Sequence, residues 1–309
     1  MSRIEIGAGD LRRASWFGLK PVAARLLGAR SVNPLVRLAA RSVLPSAIGH
    51  RLPLNVPSVT YRLEDGGTIA LLDPLHDVIA RDIHWGEGKP LGAAERIKLA
   101  WLERLSKNAD LFIDIGAYAG ICSLIAARSN PRLKAVAYEI VPENYLLLVR
   151  NIVQNDLVGR IDARLRGLGE AASAIKLPAG FGGASYMSSI SLGSDFATGV
   201  SIPVVSLDED LGLDAARLLI KIDVEGFEDQ VLRGARGLVE KCRPDIICEV
   251  LPGTEESAKR ISEMLVPLGY RWFCFEDDGL EARDRLEPGT AMRDWLFTCR
   301  PEILESRTR

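Results

Sequence analysis

No stretch of about 18 uncharged apolar residues occurs anywhere in the chain, so the sequence offers no segment that would cross a bilayer as a helix. Cysteine is scarce and unpaired. Cys122, Cys242, Cys248, Cys274 and Cys299 stand singly in apolar runs, an odd total of five with no Cys-x-x-Cys spacing, so disulfides and structural zinc are not expected. An excess of one charge is missing too: the net charge of −2 and the pI near 6.0 argue against a nucleic-acid partner, which would call for a strongly basic domain. The first residues, Met1-Ser2-Arg3-Ile4-Glu5, carry no apolar h-region and no small-residue cleavage site, and a reduced, cytoplasmic setting is expected. What is present is apolar substance. At 309 residues and 47% hydrophobic, the chain has enough to bury the core of one large domain, or of one domain with an appendage, and disorder throughout is excluded.

The most informative stretch is Leu111-Phe112-Ile113-Asp114-Ile115-Gly116-Ala117-Tyr118-Ala119-Gly120, an apolar strand that enters a glycine loop, followed by the helical pattern of 121–128. Glycine lets a backbone turn sharply and approach a ligand closely, while the free amides and positive dipole end of the next helix face the site. A dinucleotide fingerprint would need a second glycine at 118, where Tyr118 stands, and a last glycine at 121 rather than 120, so NAD is disfavoured. A glycine turn without a ligand stays open at this point.

The pattern Asp-x-Gly-Ala-x-x-Gly over 114–120, with Glu139 ending the next apolar strand, resembles motif I of the class I S-adenosylmethionine-dependent methyltransferases. A second stretch, Leu219-Ile220-Lys221-Ile222-Asp223-Val224-Glu225-Gly226-Phe227-Glu228 followed by Val231-Leu232-Arg233-Gly234-Ala235, resembles the FkbM-type branch of that class. Tyr138-Glu139 with Pro142 and Asn144, and Ser206-Leu207-Asp208, belong to the same resemblance, which covers about 109–272. It departs at Tyr118, where that family more often carries a small polar residue. The resemblance implies a Rossmann-like class I sheet, mainly parallel with a C-terminal antiparallel hairpin. It also implies S-adenosyl-L-methionine as cofactor, the loop Asp114, Gly116, Ala117, Tyr118 and Gly120 passing its methionine part, Glu139 accepting from both ribose hydroxyls, and Asp223 at the same site.

Along the chain, 1–52 holds nine Arg or Lys against Glu5 and Asp10, with helix-compatible stretches around 11–29 and 34–43. This basic arm (1–57) is read as packing on the core or on a second subunit, as in a homodimer. The alternative is an amphipathic surface for a membrane or lipid-linked substrate, with Trp16, Phe17, Leu19 and Leu26 on its apolar side, although Pro21 interrupts the pattern. Alternation around the turn Glu64-Asp65-Gly66-Gly67 predicts a β-hairpin over 58–73, and apolar spacing predicts a helix over 93–105, together a cap segment of 58–108. From 109 to 300, strands are expected near 111–115, 134–140, 160–168, 217–223, 245–251, 270–276 and 293–299, with helices near 120–129, 142–155, 226–241 and 254–268. Such alternation predicts an α/β domain whose mainly parallel sheet is covered on both faces. The Gly- and Ser-rich stretch 171–200 reads as a long insertion, either a surface excursion or a substrate loop.

Methyl transfer from a sulfonium requires acceptor oxygen, methyl carbon and leaving sulfur in line, and help in removing the hydroxyl proton. In open α/β sheets ligands lie beyond the carboxyl ends of the strands, where Asp114, Gly116, Glu139, Asp223 and Glu249 are expected to form one rim. A period of two puts Lys221, Asp223 and Glu225 on one side if that strand continues so far, making Asp223 the best-placed base or acceptor-orienting group, unless it merely balances Lys221. Glu225, Glu249 and His84, the last with Trp85 and Glu87 ahead of the motif I strand, complete the catalytic candidates; a hydrogen-bonded structural role is the competing reading for His84. Asp223 and Glu249 could also supply oxygens to Mg²⁺, a reading ranked below a metal-free site because only two ligands are visible. The resulting expectation is an O-methyltransferase acting on a hydroxyl of a small molecule, a sugar or glycoconjugate or a polyketide-like product. A non-catalytic cofactor-binding or interaction protein of the same fold is the alternative.

Overall fold

The computed structural model describes residues 54, 56–177, 199–211, 217–291 and 293–304. The basic arm with Trp16, Phe17, Leu19 and Leu26 lies outside the described residues, as does most of the Gly- and Ser-rich insertion. Among the described residues no helix is long and apolar enough to cross a membrane.

The predicted hairpin forms as β1 (Ser58–Arg62) and β2 (Thr68–Leu72), followed by α1 (Val78–Trp85), which periodicity had not marked, and α2 (Ala93–Ser106). The α/β alternation then runs β3 (Leu111–Ile115), α3 (Ile121–Ser129), β4 (Lys134–Glu139), α4 (Pro142–Gln154), β5 (Ile161–Leu165), β6 (Gly167–Leu168), β7 (Ser173–Leu177), β8 (Val200–Val205) and the single-turn α5 (Leu207–Asp210). It continues with β9 (Leu218–Ile222), α6 (Glu228–Gly234), α7 (Arg236–Cys242), β10 (Asp245–Val250), α8 (Glu255–Leu265), β11 (Arg271–Glu276), β12 (Gly279–Arg283) and β13 (Arg293–Thr298). The chain divides into two compact units. The described residues up to Tyr61 together with Leu71–Leu91 make the smaller one; Arg62–Ala70 and the described residues from Gly92 onward, α2 included, make the larger.

In the smaller unit, Asp77 caps α1 by accepting from the amides of Ile79 and Ala80 at 2.9 and 3.2 Å. Burial lifts its carboxyl to about 6 against the pull of those amides. The helix ends on His84 and Trp85, which meet edge-on with ring centroids 5.2 Å apart.

The larger unit is built on an eight-stranded sheet in the order β12-β11-β13-β10-β9-β3-β4-β5. β10, β9, β3, β4 and β5 pair in parallel, while β13 runs antiparallel between β10 and β11. This is the α/β fold expected, a mainly parallel Rossmann-like sheet with an antiparallel end. Three details differ from the sequence reading. β12 adds an edge strand where only a charged connection was expected, because Gly279 takes the turn after Asp277-Asp278 and lets the chain fold back along β11. The expected strand 160–168 breaks after Leu165, and β6 joins β8 and β7 in a separate three-stranded sheet around Ile175, Leu177, Ile202 and Val204. The expected helix 226–241 begins only at Glu228 and breaks at Ala235, next to Gly234, where a Cβ would lie 1.9 Å from the Gly169 carbonyl oxygen.

Alternation sorts the sheet by face. Ile113, Ile115, Tyr138, Ile220, Ile222, Ile246, Cys248, Trp295 and Phe297 join Val231, Leu238 and Ile261 of α6, α7 and α8 in one apolar core. The intervening positions, Asp114, Glu139, Lys221, Glu249 and Asp294, fall on the opposite face, and this is how the polar groups come to be collected together.

At the other edge of this unit, Asn155 acts as a surrogate strand partner. Its Oδ1 accepts from Ala70 N–H at 2.8 Å, and its Nδ2 donates to the carbonyls of Ala70 and Asn151, each at 2.8 Å. Asn155→Ala would leave both backbone groups of Ala70 without this partner, and is expected to cost about 2–3 kcal/mol in urea unfolding.

Candidate active site

The site is built where β3 ends. Gly116, Tyr118 and Gly120 all carry left-handed φ, of 75°, 52° and 89°, which turns the chain from strand into α3 within five residues. For Tyr118 this conformation is a strain that its surroundings must hold in place. The loop is fixed from both sides. Gly116 and Ala117 donate to the Tyr138 carbonyl of β4 at 3.0 and 2.9 Å, and a Cβ on Gly116 would lie 1.8 Å from the Asp223 carbonyl oxygen beyond β9. Glycine is therefore required at 116 both for its φ and for this approach.

Glu139 closes the loop from the side of β4. Its Oε2 accepts from Tyr118 N–H at 2.7 Å and its Oε1 from Val141 N–H at 2.8 Å. The Asn144 side chain adds a third hydrogen bond, which leaves the carboxylate room for about one further donor. Burial raises this carboxyl to about 7, opposed by the two amides.

Asp114 does not reach the surface. It is fully buried, and Oδ2 accepts from both the amide and the hydroxyl of Ser123, at 3.0 and 2.7 Å, which ties the first turn of α3 to β3. Its other oxygen lies 3.9 Å from the Lys221 ammonium. Lys221 in turn donates to the Gly116 carbonyl at 2.8 Å and stands 3.2 Å from Asp223. Burial works against the lysine charge, but Asp223 and Asp114 hold it protonated, above the ordinary lysine range. The ion pair considered for Lys221 and Asp223 is thus present, and it also clamps the glycine loop.

β9 ends at Ile222, one residue before Asp223, so the alternation does not extend to Glu225. Glu225 (φ 57°) and Gly226 (φ 95°) instead turn left-handed, with Glu228 accepting from the amides of Val224 and Gly226 at 3.3 and 3.0 Å. This turn brings Glu225 back: one oxygen each from Asp223, Glu225 and Glu249 lie within 4.8 Å of one another. Burial lifts Asp223, but the Lys221 and Lys98 ammonium groups together with hydrogen bonds from Lys221 and Glu249 outweigh it and hold the carboxyl below its ordinary value. Glu249 goes the other way, pushed up to about 9 by burial and by the charges of Asp223 and Asp294, so near neutrality it carries a proton and hydrogen-bonds to Asp223. Glu225 thus joins the two carboxyl groups that the sequence offered as ligands for a divalent ion and makes them three. His84 belongs to the smaller unit, where it is buried beside Trp85.

Two rim residues escaped the sequence reading. Asp294, the antiparallel partner of Glu249, accepts from Lys98 Nζ at 2.9 Å, and Lys98 also pairs with Glu95 at 2.7 Å. The Glu95-to-Lys98 spacing on a helix was the only signal available; the register that sets Asp294 against Glu249 has no trace in the sequence.

Comparison with known proteins adds the family. The family model described as the methyltransferase FkbM domain matches residues 114–272, about half of the chain. The chain belongs to the FkbM methyltransferase family. Among solved structures, it is similar to a methyltransferase FkbM from Methylobacillus flagellatus at 17% identity and a TM-score of 0.43, covering 61% of this chain and 43% of that one. It is also similar to a precorrin-6y C5,15-methyltransferase from Geobacter metallireducens at 13% identity and a TM-score of 0.39, covering 66% of this chain and 88% of that one. No curated protein matches it in sequence. The matched span holds Asp114, Glu139, Lys221, Asp223, Glu225 and Glu249, and leaves out Lys98 and Asp294.

Because Gly116 is packed against the Asp223 carbonyl, Gly116→Ala is expected to lower stability by roughly 2–4 kcal/mol through φ strain and overpacking. Urea unfolding of the variant checks this, and a wild-type midpoint would contradict so close an approach of the loop to the end of β9.

Proposed function

We propose that the protein is an S-adenosylmethionine-dependent O-methyltransferase whose acceptor is a hydroxyl of a small molecule, a sugar or glycoconjugate or a polyketide-like product. The observation that carries this reading is Glu139. It stands at the end of β4 beside a left-handed glycine loop, with its oxygens aligned by two loop amides and the Asn144 side chain and with accepting capacity left toward a ligand. That arrangement fits a ribose diol, and the amides at the start of α3, which has no side-chain cap, fit a polar group next to it. When bound, the cofactor supplies an electrophilic methyl on a sulfonium.

The protein's own part is positioning and proton handling. Asp223, anchored by Lys221 and Glu249, accepts a hydrogen bond from the acceptor hydroxyl and aims the oxygen. Its lowered pKa makes it a weak base, which favours orientation over full proton removal before the carbon–oxygen bond forms. The hydroxyl acceptor and its class are drawn from the family resemblance.

Cofactor affinity should rise with pH, because ribose hydroxyls donate to the ionised form of Glu139, which predominates only above about 7. Calorimetry from about pH 6 to about pH 8 should show several-fold tightening in the wild type and a flat profile in Glu139→Gln. Glu139→Ala should lose on the order of 2–4 kcal/mol of binding. The free protein shows the opposite sign: a carboxyl raised from 4.5 to about 7 by folding stabilises the native state fully below 4.5, and that stability is lost as pH climbs through about 7.

Asp223→Asn keeps the volume and removes the charge. Turnover over a hydroxylated acceptor library should fall roughly 10²- to 10⁴-fold with cofactor affinity within a few-fold. Lost stability with unchanged turnover per folded molecule would instead make Asp223 only the counter-ion of Lys221. Absence of cofactor binding by the wild type at millimolar concentration would remove the proposal altogether.

A further inference from the structure

We propose that Lys98 and Asp294 are positioning residues of the acceptor end of this site, acting through Glu249 on Asp223. The inference rests on the reading of Asp223 as the group that orients the acceptor. Its basis is a row of charges on one face of the sheet. Asp294 on β13 is the registered partner of Glu249 on β10, and Cys248 is paired with Ile222, so Glu249 comes next to Asp223 one residue further on. Lys221 follows two residues back on β9, in register with Asp114 of β3. Asp294, Glu249 and Asp223 are thus three neighbouring carboxyl groups in line, with one ammonium at each end. Lys221 stands 3.2 Å from Asp223, and Lys98 reaches down from α2 to within 2.9 Å of Asp294.

Like charges side by side on adjacent strands repel, and the arrangement is tolerated because each end is neutralised. Lys98 is itself oriented by Glu95, one turn earlier on α2. With Lys98 in place, the charge of Asp294 is balanced and Glu249 is left to face Asp223. Without Lys98, the uncompensated Asp294 repels its registered neighbour Glu249 and presses it on Asp223. The contact beside Asp223 is then disturbed, and with it the left-handed turn that carries Glu225 and Gly226. The family-matched span of 114–272 supplies three members of the row, Glu249, Asp223 and Lys221, while Lys98 comes from before it and Asp294 from after it. This chain's own flanking segments therefore complete the site.

The test uses the full chain at about pH 8 and reads amide hydrogen exchange by mass spectrometry in Lys98→Met, Lys98→Arg, Asp294→Asn and the double variant Lys98→Met with Asp294→Asn. Lys98→Met should speed exchange over 223–228 by about tenfold. Lys98→Arg, which keeps the charge, should restore it to within about twofold, and so should the double variant, in which position 294 no longer carries an unpaired charge. A pair that only staples α2 to β13 would behave differently. Exchange would then rise over 93–106 and 293–298 in Lys98→Met and in the double variant alike, with 223–228 unchanged, and that result would overturn the proposal. So would an unchanged pattern in Lys98→Met. Calorimetry with S-adenosylmethionine on the same samples separates the two levels: wild-type binding with an unaltered 223–228 turn sinks this inference alone, and absence of wild-type binding sinks the functional reading beneath it.

Discussion

The Lys221 ammonium is the contact on which the candidate site depends. It is buried to 7% exposure, a position where an unpaired charge would cost several kcal/mol, and it is accommodated because three oxygens converge on it. One is the Gly116 carbonyl and the others belong to Asp114 and Asp223. A single side chain thereby fixes the end of β9, the glycine loop after β3, and the carboxylate that also holds the first turn of α3. A neutral residue of the same length would leave Asp114 fully buried with no counter-ion, so loop geometry and charge balance at this point are one constraint.

The same electrostatics decides which chemistry each carboxyl group can perform. Asp223 and Glu249 are neighbours, yet one is driven toward ionisation by a lysine and the other toward protonation by burial and by two anions. Separated values in adjacent acids assign them separate roles, acceptor and donor. Glu139 occupies a third state: buried and raised to about 7, but held by amides that favour its charge, so that it is poised where a ligand's hydroxyls can tip it. Left-handed Tyr118 lies in the loop whose amide Glu139 holds, and left-handed Glu225 in the turn just after Asp223, so conformational strain is concentrated beside these groups.

The apolar core on the far face supports this arrangement. Ile220, Ile222, Ile113 and Ile115 pack beneath α6, α7 and α8, and because strand side chains alternate strictly, that packing forces Lys221 and Asp114 to the other face. A slip of one residue in β9 would exchange the charged and apolar sets at a prohibitive cost. The register of the core is therefore also the register of the site.

The sequence by itself determined the elements whose information is local. The glycine loop, the strands at 111–115 and 218–222, the hairpin turn at Gly66-Gly67, Pro142 at a helix start and Gly269 at a stop were legible because each is set by backbone sterics or by period within a few residues. The family signature marked Glu139 and Asp223 in the same way. Tertiary structure alone decided the rest. β6 and β7 are short strands whose partner, β8, lies some way along the chain, and the close pass of Gly234 by the Gly169 carbonyl joins residues 65 apart in sequence. The pairing of Glu249 with Asp294, the approach of Lys98, and the opposite protonation of Asp223 and Glu249 likewise arise only when strands take their register. Proximity, burial and field are properties of the folded arrangement, and no residue carries them in its own identity.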